Sequence, residues 1–328
     1  MPTPETYAIG PQVTQVSQAL GLDPARVLRR ARLPSDFLEH DQRGVTAAQF
    51  FAVWEAVEAE ANRPDLPLYL GQIMARSPMI PAIYGFASSP DIETGFARLA
   101  VFKPLVAPIR LISERDETSL TLRWAPPPGI APSPLFSFFE LVYFLALCRS
   151  FTGAHIVPLG IGAPVGDNSG LREFFGVTAH VAPVPELRLS HTDASRRMIF
   201  ANDEQYRVIE ADLRRQLNER ARSLPMTTRV QRTLVDILPA GEATVDAVCD
   251  RLAMSRRSLQ RKLKDEGENF QSVLEATRAE LSMHYLKHAD MSVQEISYLL
   301  AYRDPNSFYR AFQGWTGMTP GQARADLP

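Results

Sequence analysis

Apolar residues recur at spacings of three and four along most of the chain, and the clearest run lies near its end. Val293, Ile296 and Leu300 share one stripe of a short helix. Ser292, three residues before Glu295, has the spacing of a capping box, in which hydroxyl and carboxylate each satisfy an orphan backbone N–H. The pattern breaks over Ala301 to Arg303, and Asp304 with Pro305 then supplies an N-cap and a first helical residue for a second helix with Phe308 and Phe312 on its apolar face. Two short helices joined by a tight turn are predicted. Upstream the plan repeats: Val245, Val248 and Leu252 form a stripe, Ala253-Met254 the turn, and Ser255 caps a helix with Leu259 and Leu263 inward. Between the pairs, Phe270, Leu274, Thr277, Leu281 and Tyr285 predict one helix from about Phe270 to His288, roughly 28 Å long at 1.5 Å per residue.

The outward faces of the second helices carry the chemistry. One presents Arg256, Arg257, Gln260, Arg261, Lys262 and Lys264 with no acid among them; the other presents Asn306, Ser307, Tyr309, Arg310 and Gln313. Such side chains suit a helix lying in the major groove of double-stranded DNA, and a rigid connecting helix would hold two of them near one DNA turn apart.

The first two thirds read differently. Val13 to Leu33 holds two helical patterns separated by Gly21 to Pro24, a helix-turn-helix look-alike that is better read as a capped pair packing as an N-terminal subdomain. A helix begins at Thr46 with Phe50, Val53, Trp54, Val57 and Ala61 on one face, a short one spans Leu66 to Met74, and Tyr84 to Leu105 continues helically between prolines. Pro108 to Ser113 and Ser119 to Trp124 read as a hairpin with a charged turn, and Ala125 to Pro134 as a Pro-rich loop. Leu135 to Phe151 is apolar but contains Glu140 and Arg149 and is too short for a bilayer span, so it predicts a buried core helix. Strand-like Ile156 to Ile161, a helix at Leu171 to Phe175, strand-like His180-Val181 and Leu187 to Leu189, and a helix from Asp203 to Ser223 follow. Residues 1–223 are thus one domain, 224–228 a linker around Pro225, and 229–328, opening with a helix from Arg229 to Leu238, a second domain with helix-turn-helix units at about 245–264 and 293–314. The fold class is mostly α: a small α/β N-terminal domain followed by an all-α one.

Ile296, Leu300-Ala301-Tyr302, Ser307-Phe308, Arg310-Ala311-Phe312, Trp315, Gly317 and Thr319-Pro320 resemble the signature of the AraC family of bacterial transcription regulators, over about Thr228 to Ala325. That family often has Gly where this chain has Ala301. An Ala held at positive φ would cost about 1 kcal/mol, so either the turn avoids the left-handed region or the domain tolerates the strain. The resemblance implies base contacts by Arg257, Gln260 and Arg261 in the first unit and by Asn306, Ser307 and Arg310 in the second, whose matching stretch starts at Pro305; Arg256, Lys262 and Lys264 are better placed for phosphates. Leu20 to Pro24, Glu173 to Val177 and Leu187 to Leu189 resemble the arabinose-binding-like effector domain of a branch that includes regulators of ornithine use. That implies a small-molecule effector and a possible homodimer, with RNA polymerase as a partner if the protein activates.

Composition sharpens this. The formal net charge of -2 argues against a general polyanion binder, and acids about balance bases between Thr227 and Pro328, so positive charge is local to Arg251 to Lys264. Cys148 and Cys249 are too few for a disulfide framework, which fits a reducing cytoplasm. The start, MPTPETYAIG, lacks the basic and apolar regions of a signal peptide, and no membrane partner is expected.

No cofactor, metal or catalytic residue is expected. Gly160 to Gly166 has the wrong spacing for a dinucleotide fingerprint, and Pro164 spoils the helix start; Gly166 to Gly170 is no nucleophile elbow. His284 and His288 lack a third ligand for zinc and read as cations near a helix C-terminus. Two rivals to a metabolite-controlled regulator stay open: an enzyme domain fused to a DNA-binding one, and a regulator switched by a protein partner.

Overall fold

The structure is a computed structural model that describes residues 6–34, 36–39, 44–77, 80–127, 129–164, 169–286 and 291–325. The chain divides into two compact units, within residues 5–219 and 220–328.

In the first unit, α1 (Gly10–Leu20) and α2 (Pro24–Arg30) are separated by Gly21 at φ 64°, and Asp23 caps α2 by accepting from the Ala25 N–H. Val13, Val16, Val27 and Leu28 belong to the core that fills the whole unit, so the pair is no separate subdomain. Its outward Arg26 and Arg30 are tied to Glu60 at 2.9 and 2.8 Å. Glu60 sits on α3 (Ala47–Ala61), which Thr46 and Gln49 close with a capping box. Then come α4 (Leu66–Met74), α5 (Pro81–Ala87), α6 (Ile92–Phe102) and a 3-10 turn over Lys103–Leu105. The run expected to be helical from Tyr84 to Leu105 is therefore two helices, the second restarted by Asp91, whose carboxylate accepts from the Thr94 N–H.

At the centre lies α7 (Pro134–Thr152), capped by Ser133 and buried along most of its length. By length and composition it could cross a membrane, but here it is a core helix. Phe136 packs edge-on against Phe51 and Trp54 of α3, both at 5.2 Å between ring centroids. Helix α4 lies so close to α7 that a Cβ on Gly71 would stand 2.5 Å from Val142, hence the glycine. The two charges inside this apolar helix are both satisfied. Arg149 donates to the carbonyl oxygens of Ile156 and Phe174, and Glu140 meets Lys103.

A five-stranded sheet, order β1-β2-β5-β3-β4, supports the helices. The expected hairpin is β1 (Arg110–Arg115) with β2 (Ser119–Ala125), its turn closed by Asp116, which accepts from the N–H groups of Thr118 and Ser119. Strand β3 (Gly160–Ala163) starts later than Ile156, because Pro158 has no N–H to give to a ladder and Val157 and Leu159 point to solvent. It pairs in parallel with β4 (His180–Val181) and antiparallel with β5 (Glu186–Ser190). Between β3 and β4 lies α8 (Ser169–Phe175), while α9 (His191–Ala194) and α10 (Asp203–Ser223) follow β5. Residues 165–168, where the two glycine-rich stretches meet, lie outside the described residues.

The second unit is helical: α11 (Met226–Ile237), α12 (Val245–Leu252), α13 (Arg256–Asp265), α14 (Phe270–Leu286), α15 (Val293–Leu299), α16 (Pro305–Thr316) and α17 (Pro320–Ala325). Helix α11 starts at Met226, three residues before Arg229 and inside the stretch read as linker. Pro225 offers no side-chain cap, but Glu266, beyond the end of α13, accepts from the Met226 and Thr227 N–H groups at 2.5 and 2.8 Å. A carboxylate 40 residues away thus begins the helix. Two cores follow, one containing Val230, Val248, Leu259 and Leu263, the other Ile296, Leu300, Phe308 and Phe312. Leu281 of α14 packs against both.

Candidate DNA interface and effector cavity

The pairs α12–α13 and α15–α16 are helix-turn-helix units with turns of one design. The N–H of Ala253 bonds the Asp250 carbonyl and that of Met254 the Cys249 carbonyl, at 3.2 and 3.0 Å; Ala301 and Tyr302 do the same to Tyr298 and Ser297, at 2.9 and 3.0 Å. Both alanines are left-handed, at φ 49° and 58°. Of the two outcomes open for Ala301, the domain carries the strain, and does so twice.

The second turn has a brace that the sequence did not reveal. From α14, Arg278 donates through Nε to the Leu300 carbonyl at 2.9 Å and through Nη2 to that of Ala301 at 3.2 Å, and its guanidinium stacks 4.3 Å from the centre of the Tyr302 ring. Burial lowers the pKa of Arg278, so the carbonyls and the ring stand in for lost water.

On α13, capped by Ser255 through the Ser258 N–H, Arg257, Gln260 and Arg261 occupy one exposed stripe at spacings of three and four. Among the described residues they have no hydrogen bond or ion pair within the protein, so their polar groups are available. Lys262 and Lys264 are also exposed. Arg256 is different: its guanidinium is engaged by both carboxylate oxygens of Asp246 on α12.

On α16, Asp304 is the N-cap, accepting from the Ser307 N–H at 2.9 Å and the Ser307 hydroxyl at 2.7 Å. Those bonds hold the Asp304 carboxyl below its ordinary range. Ser307 is thereby committed to the cap, and Arg310 leans on it, with Nη2 3.4 Å from the hydroxyl oxygen. Asn306, Arg310 and Gln313 are exposed, Pro305 opens the helix, and Tyr309 stands out beside them. Of the histidine pair, His288 lies outside the described residues.

The first unit holds a cavity of about 70 Å³ where α1, α3, α4, α6 and α7 converge. Trp54, Phe136 and Phe139 give it aromatic walls, and Lys103 and Glu140 line it as a closed ion pair. The Lys103 ammonium donates to both Glu140 oxygens, at 3.0 and 2.8 Å, with the side chains only 4 and 5 % exposed. Lys103 also lies 5.0 Å from the centre of the Phe144 ring. Burial and the Glu140 charge together push the neighbouring Tyr143 hydroxyl well above its usual pKa. A lone acid in an apolar helix was the one signal of this site, because such a charge demands a partner; nothing local pointed to Lys103.

Two capped helix-turn-helix units on one helix, with an Arg-Gln-Arg stripe unpaired among the described residues, define a DNA-binding protein of the helix-turn-helix class. The chain belongs to the AraC family of transcription regulators: the model of the arabinose-binding domain of AraC transcription regulators, N-terminal, matches residues 21–198, more than half of its length, and a helix-turn-helix domain model matches residues 248–326. It is 25% identical to the HTH-type transcriptional regulator VirS of Mycobacterium tuberculosis, over 95% of this chain and 94% of that protein. The ornithine utilization regulator of Pseudomonas aeruginosa is also 25% identical, over 93% of this chain and 91% of its own. Among solved structures, the transcriptional regulator CdpR of Pseudomonas aeruginosa aligns with a TM-score of 0.44 at 18% identity, covering 96% of this chain and 97% of that one.

Proposed function

We propose that this chain is a cytoplasmic, metabolite-controlled regulator of transcription that grips a promoter with α13 and α16 in successive major grooves and changes its grip when a small molecule enters the cavity around Lys103 and Glu140. The observation that carries the DNA half is the stripe of Arg257, Gln260 and Arg261, three exposed side chains with base-reading chemistry and no partner among the described residues. In the second unit Asn306 and Arg310 read bases. Ser307, occupied by its own cap, acts there by steadying Arg310. Lys262 and Lys264 meet phosphates directly, whereas Arg256 does so only by exchanging Asp246 for a phosphate.

The effector half rests on a pocket that is mostly apolar, partly open and fitted with a few convergent polar groups. A homodimer on paired sites, and contact with RNA polymerase where the protein activates, fit the same reading. The test is a footprint with the operator selected from random DNA. Arg261→Ala weakens binding by about 1 to 3 kcal/mol and relaxes the sequence at one end of the site, whereas Lys264→Ala weakens all sequences alike and lowers the salt slope by about one. An unchanged footprint and affinity for Arg261→Ala would remove the assignment. A thermal-shift panel of metabolites on the full chain, with recovery of unaltered ligand, tests the effector half and separates a sensor from an enzyme.

A further inference from the structure

The cavity has two chemically distinct surfaces. Phe136, Phe139 and Leu147 offer only apolar atoms, while Lys103 and Glu140 offer a matched pair of opposite charges; the Trp54 indole, Gln12, Gln15 and Tyr143 add neutral polar groups. Each member of that pair keeps unused capacity. Glu140 accepts from Lys103 alone among the described residues, leaving lone pairs on both oxygens, and Lys103 spends two of its three N–H bonds on Glu140.

We infer that the Lys103–Glu140 pair is the head-group receptor of this cavity, and that its ligand is a small molecule of no net charge, with an apolar body of a few carbons and one head that both donates and accepts hydrogen bonds. A primary amide is the simplest such head. The inference rests on the reading of this cavity as the effector site.

Charge balance carries the choice. The pair is neutral as it stands, and it is almost fully buried. A carboxylate ligand would leave one net negative charge in a low-dielectric space and a free ammonium head one net positive charge, and a buried charge without a partner is strongly disfavoured. A head with both an N–H or O–H and an oxygen acceptor gives Glu140 a donor and Lys103 an acceptor, and nothing is left unpaired. Size sets the body. A volume of about 70 Å³ is less than half of the roughly 150 Å³ that admits benzene, so the ligand is a slender chain of at most about six heavy atoms whose end extends into the partly open mouth of the cavity.

Three probes of nearly equal shape separate the possibilities: butyramide, butyrate and n-butylamine, titrated at pH 7 into the full chain and followed by ligand-detected NMR. Butyramide is expected to bind at least tenfold more tightly than either charged probe. In Lys103→Met/Glu140→Leu, which replaces both partners by apolar groups and so avoids a stranded charge, that preference is expected to vanish. Tighter or equal binding of butyrate or butylamine, sensitive to the double substitution, overturns the ligand class and leaves the cavity as effector site. Butyramide binding that is identical in the double variant overturns the role of the pair. Binding of none of the three also overturns the inference, and the metabolite panel then decides separately whether an effector binds elsewhere. The comparison of probes on the unaltered chain stands even if the double variant does not fold.

Discussion

Arg278, on the helix that joins the two DNA-binding units, donates its Nε–H to the carbonyl oxygen of Leu300 at 2.9 Å. With the second bond to Ala301 it closes the C-terminus of α15 from outside, where the chain turns towards α16. Arg278→Met keeps the apolar stem and removes both bonds. It is expected to lower the stability of the α15–α16 unit by about 2 kcal/mol, since hydrogen bonds from a charged donor to part-buried carbonyls exceed neutral ones. Hydrogen exchange of the Ala301 and Tyr302 amides should rise while α12 and α13 are unaffected. Arg278→Lys should rescue little, because a single ammonium cannot span two carbonyls and stack on Tyr302 at once.

Glu266 gives a pH-dependent counterpart beside the first helix-turn-helix. Burial alone would raise its pKa, but bonds from the Thr227 hydroxyl and the Thr227 and Met226 N–H groups outweigh it, and the folded carboxyl titrates below its ordinary value of 4.5. A depressed carboxylate pKa stabilises the fold above that ordinary value, and the benefit is lost as pH falls through the lower folded one. Glu266→Gln is therefore expected to cost about 1 to 2 kcal/mol at pH 7, a typical cap loss. Denaturation of variant and parent at a series of pH values should show the gap narrowing only below 4.5.

The two left-handed alanines invite the opposite kind of change. Ala253→Gly relieves a Cβ at φ 49° on an exposed turn, and it should stabilise the unit by roughly 0.5 to 1 kcal/mol after the greater freedom of Gly in the unfolded chain is deducted. Ala301→Gly should gain less, because the Ala301 methyl packs against the core of the first helix-turn-helix, the one containing Leu259 and Leu263. Urea denaturation of both variants checks the order.

What was legible in the residues was local. The Ser292-Glu295 box, the Ser255 and Asp304 caps and the inward Leu259, Leu263, Phe308 and Phe312 all depend on neighbours within one or two turns, and each stands where its spacing places it. The start of α11 did not follow from its own residues, because the cap at Met226 belongs to Glu266. The cavity was hidden for the same reason. Lys103 and Glu140 lie 37 residues apart on different elements, and only the packing of α6 and α7 brings them together. Ser307 and Arg256 read as free contacts because a side chain's partner inside the protein is invisible in spacing.

The Asp246–Arg256 pair has a thermodynamic consequence for the search along DNA. A carboxylate is held against the first residue of α13 as a built-in counterion, so on the proposed interface this arginine would arrive at the duplex already neutralised and its docking would displace fewer condensed salt ions. Fewer released ions mean a weaker entropic pull towards arbitrary sequence. On the proposed interface the protein then lingers less on random DNA, and residence at a promoter is decided by the bases that Arg257, Gln260 and Arg261 meet.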